Sequence, residues 1–192
     1  MSIAARHGRI REELRGQGLD ALVVTNLVNI RYLSGFVGSN GVLVVGPESL
    51  VLLTDSRYAT AARDQVTDTD VVIAGRDLLD RLAEVVPRGR VGFEAEDVTV
   101  ARRDRLAARL EGVDLVSTAG IVEGLRVVKE PGEIDLIRDA TRIADAALSG
   151  LITRGFAGRT EARVAWDLEG AMREAGAEGA SFDIIVAGGA HG

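Results

Sequence analysis

The chain has 192 residues, 46% hydrophobic and 27% charged, with a formal net charge of −6, the balance of a folded protein with room for a sizeable core in one or two domains. The negative charge argues against a nucleic-acid grip, which needs clustered positive charge. The absence of cysteine removes disulfides, thiolate catalysis and Cys-ligated zinc.

Ile3, Ile10 and Leu14 recur at helical spacing with His7 between them, and Gly16 and Gly18 end the pattern. Leu19–Thr25 is apolar and β-branched, a buried strand. Val42–Val45 and Leu50–Leu53 are two more, separated by Gly46–Ser49 in the manner of a hairpin loop. Asp55 or Ser56 can cap a short helix running to Val66. Val71–Ala74, a helix over 77–86, Arg90–Phe93, a helix over 99–111 and Val113–Ser117 follow. Strands alternating with helices predict an α/β layer, and the hairpin makes its sheet mixed.

The pattern changes after Gly124, and a domain boundary is placed near 124–130, giving expected domains over 1–124 and 131–192. Pro131 suits the first turn of a helix and Glu133 its positive end. Ile134, Ile137, Ala140, Ala144, Ala147 and Leu151 mark a long amphipathic helix. Thr160 caps a second that runs to about Ala175, and Phe182–Ala187 reads as a strand apolar on both faces.

Chemistry-bearing residues are sparse. The two histidines, His7 and His191, form no His-x-x-x-His or His-Glu-x-x-His pair. His7 lies on a helix stripe and reads as a satisfied packing residue. The glycines of Gly35-Phe36-Val37-Gly38-Ser39-Asn40-Gly41 precede a strand with no lysine nearby, so a phosphate cradle is disfavoured. The same spacing predicts a mobile, lid-like connection anchored by Phe36. No apolar signal core and no membrane-length apolar run is present, so a cytoplasmic protein with no membrane partner is expected.

Taken in order, these segments resemble a known family. Asn29-Ile30-Arg31-Tyr32-Leu33-Ser34-Gly35 through Gly41, with Leu53-Thr54-Asp55-Ser56-Arg57-Tyr58, is similar to the creatinase-type N-terminal domain of Xaa-Pro aminopeptidases and prolidases. The family often has Gly where this chain has Ser56. Val128-Lys129-Glu130-Pro131-Gly132-Glu133 resembles the start of that family's pita-bread catalytic domain, and Gly158–Glu161 and Ser181–Ala187 continue it. The resemblance implies a mixed-sheet α/β domain followed by an incomplete α+β pita-bread domain. It implies a parent hydrolase that uses two divalent ions (manganese, cobalt or zinc) to cleave peptide bonds preceding proline, and a homodimer. None of the family's metal ligands maps onto this chain, and His191 matches only the segment before the first active-site histidine. The chain is therefore expected to carry no cofactor, to be cut off before its ligands and to be inactive alone. Phe182 matches a position lining the substrate pocket in some prolidases. In dimeric relatives the loop matching Phe36, Ser39 and Asn40 reaches toward the partner's active site. The alternative is a naturally short, non-catalytic binding module on the same fold.

Overall fold

The computed structural model describes residues 3–192. It divides into two compact units, with the break between Val128 and Lys129.

The first unit is built on six strands: β1 (Ala21–Val24), β2 (Gly41–Val45), β3 (Leu50–Asp55), β4 (Asp70–Ala74), β5 (Arg90–Glu94) and β6 (Asp114–Thr118). Their order across the sheet is β4-β3-β2-β1-β5-β6. Gly46 N–H donates to the Ser49 carbonyl and closes the β2–β3 hairpin. β2 runs antiparallel to both β1 and β3, and the remaining pairs are parallel. Five strands thus point one way and β2 alone points back, which gathers the carboxyl ends of the five at one end of the sheet.

Both faces are covered. Leu22 and Val24 of β1 point into a cluster with Ile10 and Leu14 of α1 (Ile3–Gly16), Ile30 and Leu33 of α2 (Leu27–Ser34), Ala62 of α3 (Ala59–Gln65), and Ile121 and Leu125 of α5 (Ile121–Val127). Ala21 and Val23 point the other way, toward Leu106 and Leu110 beside α4 (Val100–Arg109) and the 3-10 helix Leu78–Glu84. This is the period-2 alternation of a strand buried on both sides. The expected helix over 77–86 is this 3-10 segment, capped by Asp77, whose Oδ1 accepts from Leu79 N–H.

Two helices of this unit carried no expectation. Asn26 caps α2 by accepting from Val28 and Asn29 N–H, and Gly35, at φ 80°, closes it in the left-handed conformation. α5 crosses position 124, so Leu125 belongs to the core of the first unit.

The second unit contains α6 (Pro131–Arg154) and α7 (Glu161–Glu174). Glu130 and Glu133 form a reciprocal capping box at the start of α6, with Pro131 in its first turn. Thr160 caps α7 by accepting from Arg163 N–H. Ala147, Leu151 and Val164 are buried, whereas Leu136, Ile152 and Trp166 are exposed.

The strand expected over 182–187 is not formed. The segment has no regular structure, and Phe182 and Ile185 are 76% and 86% exposed. The reason is backbone pairing: no neighbouring strand offers its N–H and C=O groups, and strand propensity alone does not hold an unpaired strand. Gly188 N–H reaches the Glu161 carboxylate of α7 at 2.8 Å. The amides of 183–187 are therefore expected to exchange with solvent far faster than those of β1. Hydrogen exchange resolved by segment checks this, and equally slow exchange in the monomer would contradict the unpaired arrangement.

Candidate functional site

The loops that follow β1, β3, β4, β5 and β6 meet at one end of the sheet, together with the loop that precedes β2. In open α/β sheets this is the crevice where ligands bind, at the point where the chain switches from one side of the first strand to the other. Here β1 leads through α2 to β2 on one side, and the chain returns to its other side at β5.

A buried carboxylate sits at that switch point. Glu94, the last residue of β5, is 8% exposed. Its Oε2 accepts from Thr25 N–H at 2.6 Å and from Asn26 N–H at 2.8 Å, and its Oε1 accepts from the Asn29 amide at 2.6 Å. The Asn29 amide also donates to Glu123 of α5, while Arg126 donates to the Asn29 side-chain oxygen Oδ1. Thr25 Oγ1 donates to Asp97. One network thus joins β1, β5, α2 and α5. Burial pushes the Glu94 carboxyl above its ordinary range, against the pull of the hydrogen bonds it accepts. The adjoining cavity, about 80 Å³, touches Glu94, Glu96, Asp97 and Glu123.

The glycine-spaced loop lies beside it. Phe36 is buried and stands edge-on to Tyr58, with ring centroids 5.8 Å apart. A Cβ on Gly38 would fall 2.2 Å from the Phe36 ring, and one on Gly41 would fall 3.2 Å from it. The glycine spacing therefore lets backbone wrap an aromatic ring. Polar bonds pin the rest: Val37 N–H to Gln65, Ser39 Oγ to Tyr58 Oη at 2.6 Å, and the Asn40 amide to Asp55 at 2.7 Å. The lid-like connection expected here is instead a tied loop. Phe36 is its anchor inside the core, while Ser39 and Asn40 lie toward the surface.

Asp55 and Arg57 complete the arrangement. Asp55 caps the turn Ser56–Tyr58 and accepts two bonds from the Arg57 guanidinium, at 2.9 and 2.7 Å. Those bonds, with the Asn40 amide, hold the Asp55 carboxyl well below the usual carboxylate range. His7 lies away from the site. Its Nε2 donates to the Leu33 carbonyl at 2.7 Å, and burial lowers its basicity. Phe182 belongs to the second unit and is exposed there. The side chain of His191 lies outside the described residues. Among the described residues no three His, Cys, Asp or Glu side chains are placed to hold a metal ion, and no described helix is long and apolar enough to cross a membrane.

The family model of the creatinase/prolidase N-terminal domain matches residues 6–128. The chain belongs to this family. An uncharacterized peptidase of Bacillus subtilis is 35% identical over 175 residues, which cover 90% of this chain and 50% of that protein. A Xaa-Pro dipeptidase from Bacillus anthracis superposes with a TM-score of 0.91 at 30% identity, over 97% of this chain and 53% of that one. The N-terminal domain of the cytoplasmic peptidase PepQ from Mycobacterium tuberculosis is 44% identical with a TM-score of 0.57, over 64% of this chain and 98% of that domain. The chain thus spans about half the length of the curated relatives it matches. Within the creatinase/prolidase domain, the Glu94–Asn29 network is a feature of packing that no sequence motif announced, whereas the glycine spacing and Phe36 had marked the loop.

Two outcomes follow from this geometry. Because burial keeps the folded Glu94 carboxyl protonated to a higher pH than in the unfolded chain, its contribution is fullest below the unfolded value near 4.5 and declines as pH rises through the raised folded value. Urea denaturation across this range should show that decline in the parent and a flatter profile in Glu94→Gln. Parallel profiles would argue against the assignment. Gly38→Ala should lower stability by about 1–3 kcal/mol, because the Phe36 ring has to move. A change within error would mean that the loop is a plain connector.

Proposed function

We propose that this chain is the N-terminal portion of a Xaa-Pro peptidase that hydrolyses peptide bonds preceding proline, and that it is inactive by itself. The observation that carries the reading is the match of residues 6–128 to the creatinase/prolidase N-terminal domain, with relatives named as Xaa-Pro dipeptidases that are about twice as long. In this reading the domain expected over 1–124, extended through α5 to Val128, folds independently, as the separate domain solved for PepQ supports, and 131–192 begin a pita-bread catalytic domain. The dinuclear manganese, cobalt or zinc centre of such an enzyme supplies a metal-bound hydroxide as nucleophile. The residues described here do not fit that centre, so no step of hydrolysis is assigned to them.

Ser39, exposed, and Asn40, half-buried, are the residues of the loop proposed to face a partner's active site in a homodimer, with Phe36 holding the loop in shape. Phe182, which is exposed, is proposed to line the substrate pocket when the second unit is complete. A cytoplasmic location is proposed by analogy with PepQ, whose name states it.

The test compares the pure chain with the product of the uninterrupted reading frame, each incubated with manganese and Xaa-Pro peptides. The longer product is expected to turn over and this chain is not. Metal-dependent cleavage by the pure chain would sink the claim of inactivity. A reading frame that stops after Gly192 would instead favour the binding-module reading.

A further inference from the structure

Beyond the carboxylate network, the same end of the sheet gathers guanidinium groups in a chain whose net charge is −6. Arg76 lies just past the end of β4. Arg102 and Arg105 lie one turn apart on α4, so their side chains share a face. The three arginines, with Asn40, line a cavity of about 320 Å³ whose apolar wall is Leu78 and Leu79.

The local charge is not balanced. Asp77 is the one carboxylate lining this cavity, and it is already engaged. Its Oδ2 accepts from Arg105 and its Oδ1 from Leu79 N–H. Among the described residues Arg102 pairs with Asp97 alone, at 3.9 Å, and Asp97 also accepts from Thr25 Oγ1. The Arg76 side chain makes no ion pair among the described residues. Two guanidiniums therefore face the cavity with donors to spare. A planar guanidinium matches a carboxylate in shape and can bind it through two parallel hydrogen bonds.

Asn40 and Arg102 also line the neighbouring groove, about 450 Å³. Leu27 and Val28, on the walls of that groove, are 39% and 54% exposed. An apolar stretch thus leads directly to a cationic one.

We infer that this run binds a small organic carboxylate, its anionic group held by Arg76 and Arg102 and its apolar body lying along Leu27 and Val28. The site lies wholly within the first unit and needs neither a metal nor peptide cleavage, so it stands or falls apart from the peptidase reading.

The test is a titration of the full chain, followed through the arginine Nε–H signals in ¹H–¹⁵N spectra. The probes are N-acetyl-leucine, acetate and inorganic phosphate. N-acetyl-leucine is expected to shift the Arg76 and Arg102 signals saturably and to bind more tightly than acetate. Arg76→Gln and Arg102→Gln should each weaken it by about tenfold or more, with thermal unfolding unchanged. Arg138→Gln, which removes an exposed cation from α6, should leave binding unaltered. The proposal is overturned by the absence of saturable shifts, by an equal loss in Arg138→Gln, by acetate binding as tightly as N-acetyl-leucine, or by phosphate saturating the site where N-acetyl-leucine does not.

Discussion

The first unit depends on one carboxylate that accepts hydrogen bonds from backbone. Glu94 closes β5 and, through Thr25 and Asn26 N–H, holds the end of β1 where the chain leaves the sheet for α2. Without an acceptor there, the buried Thr25 N–H would lose its partner at a cost of about 1–3 kcal/mol, and the half-buried Asn26 N–H would lose its own. Asn29 extends the same link to Glu123 and Arg126 of α5. The two central parallel strands and two of the helices over one face are therefore positioned from a single point, and the crevice outside them inherits its shape.

Beside that fixed point the loop 35–41 takes its form from an aromatic ring. Phe36 occupies the core, the glycines leave room for backbone to pass over it, and Tyr58 meets its edge while bonding Ser39. Asn40 joins this loop to the Asp55–Arg57 pair. Residues from two segments, 36–40 and 55–58, thus hold one another in register through an aromatic contact and side-chain hydrogen bonds.

Much of this was legible in advance because it depends on local pattern. The apolar run of β1, the Gly46–Ser49 turn, the Asp55 and Thr160 caps and the Pro131 helix start are each decided within a few residues. What escaped depends on distant partners. α2 had readable ends in Asn26 and Gly35, but its apolar residues blended into the preceding strand. α5 is short, starts at a left-handed Gly120 without a side-chain cap and carries Gly124 within it, so only its packing against the sheet shows that it forms. Residues 182–187 failed in the opposite direction, since strand-forming residues are insufficient where no strand lies alongside. The roles of Glu94 and Asn29 were hidden for the same reason, because their partners lie 65 to 97 positions away.

The strand directions also separate the first unit into two ends with different tolerances. The polar loops crowd the end where β2 begins, while the β2–β3 hairpin lies at the other and exposes Pro47, Glu48 and Ser49. The five residues of β2 place roughly 17 Å between them. A fluorophore or short epitope inserted at Glu48 would consequently report on the first unit from outside the crevice, leaving its hydrogen-bonded loops undisturbed.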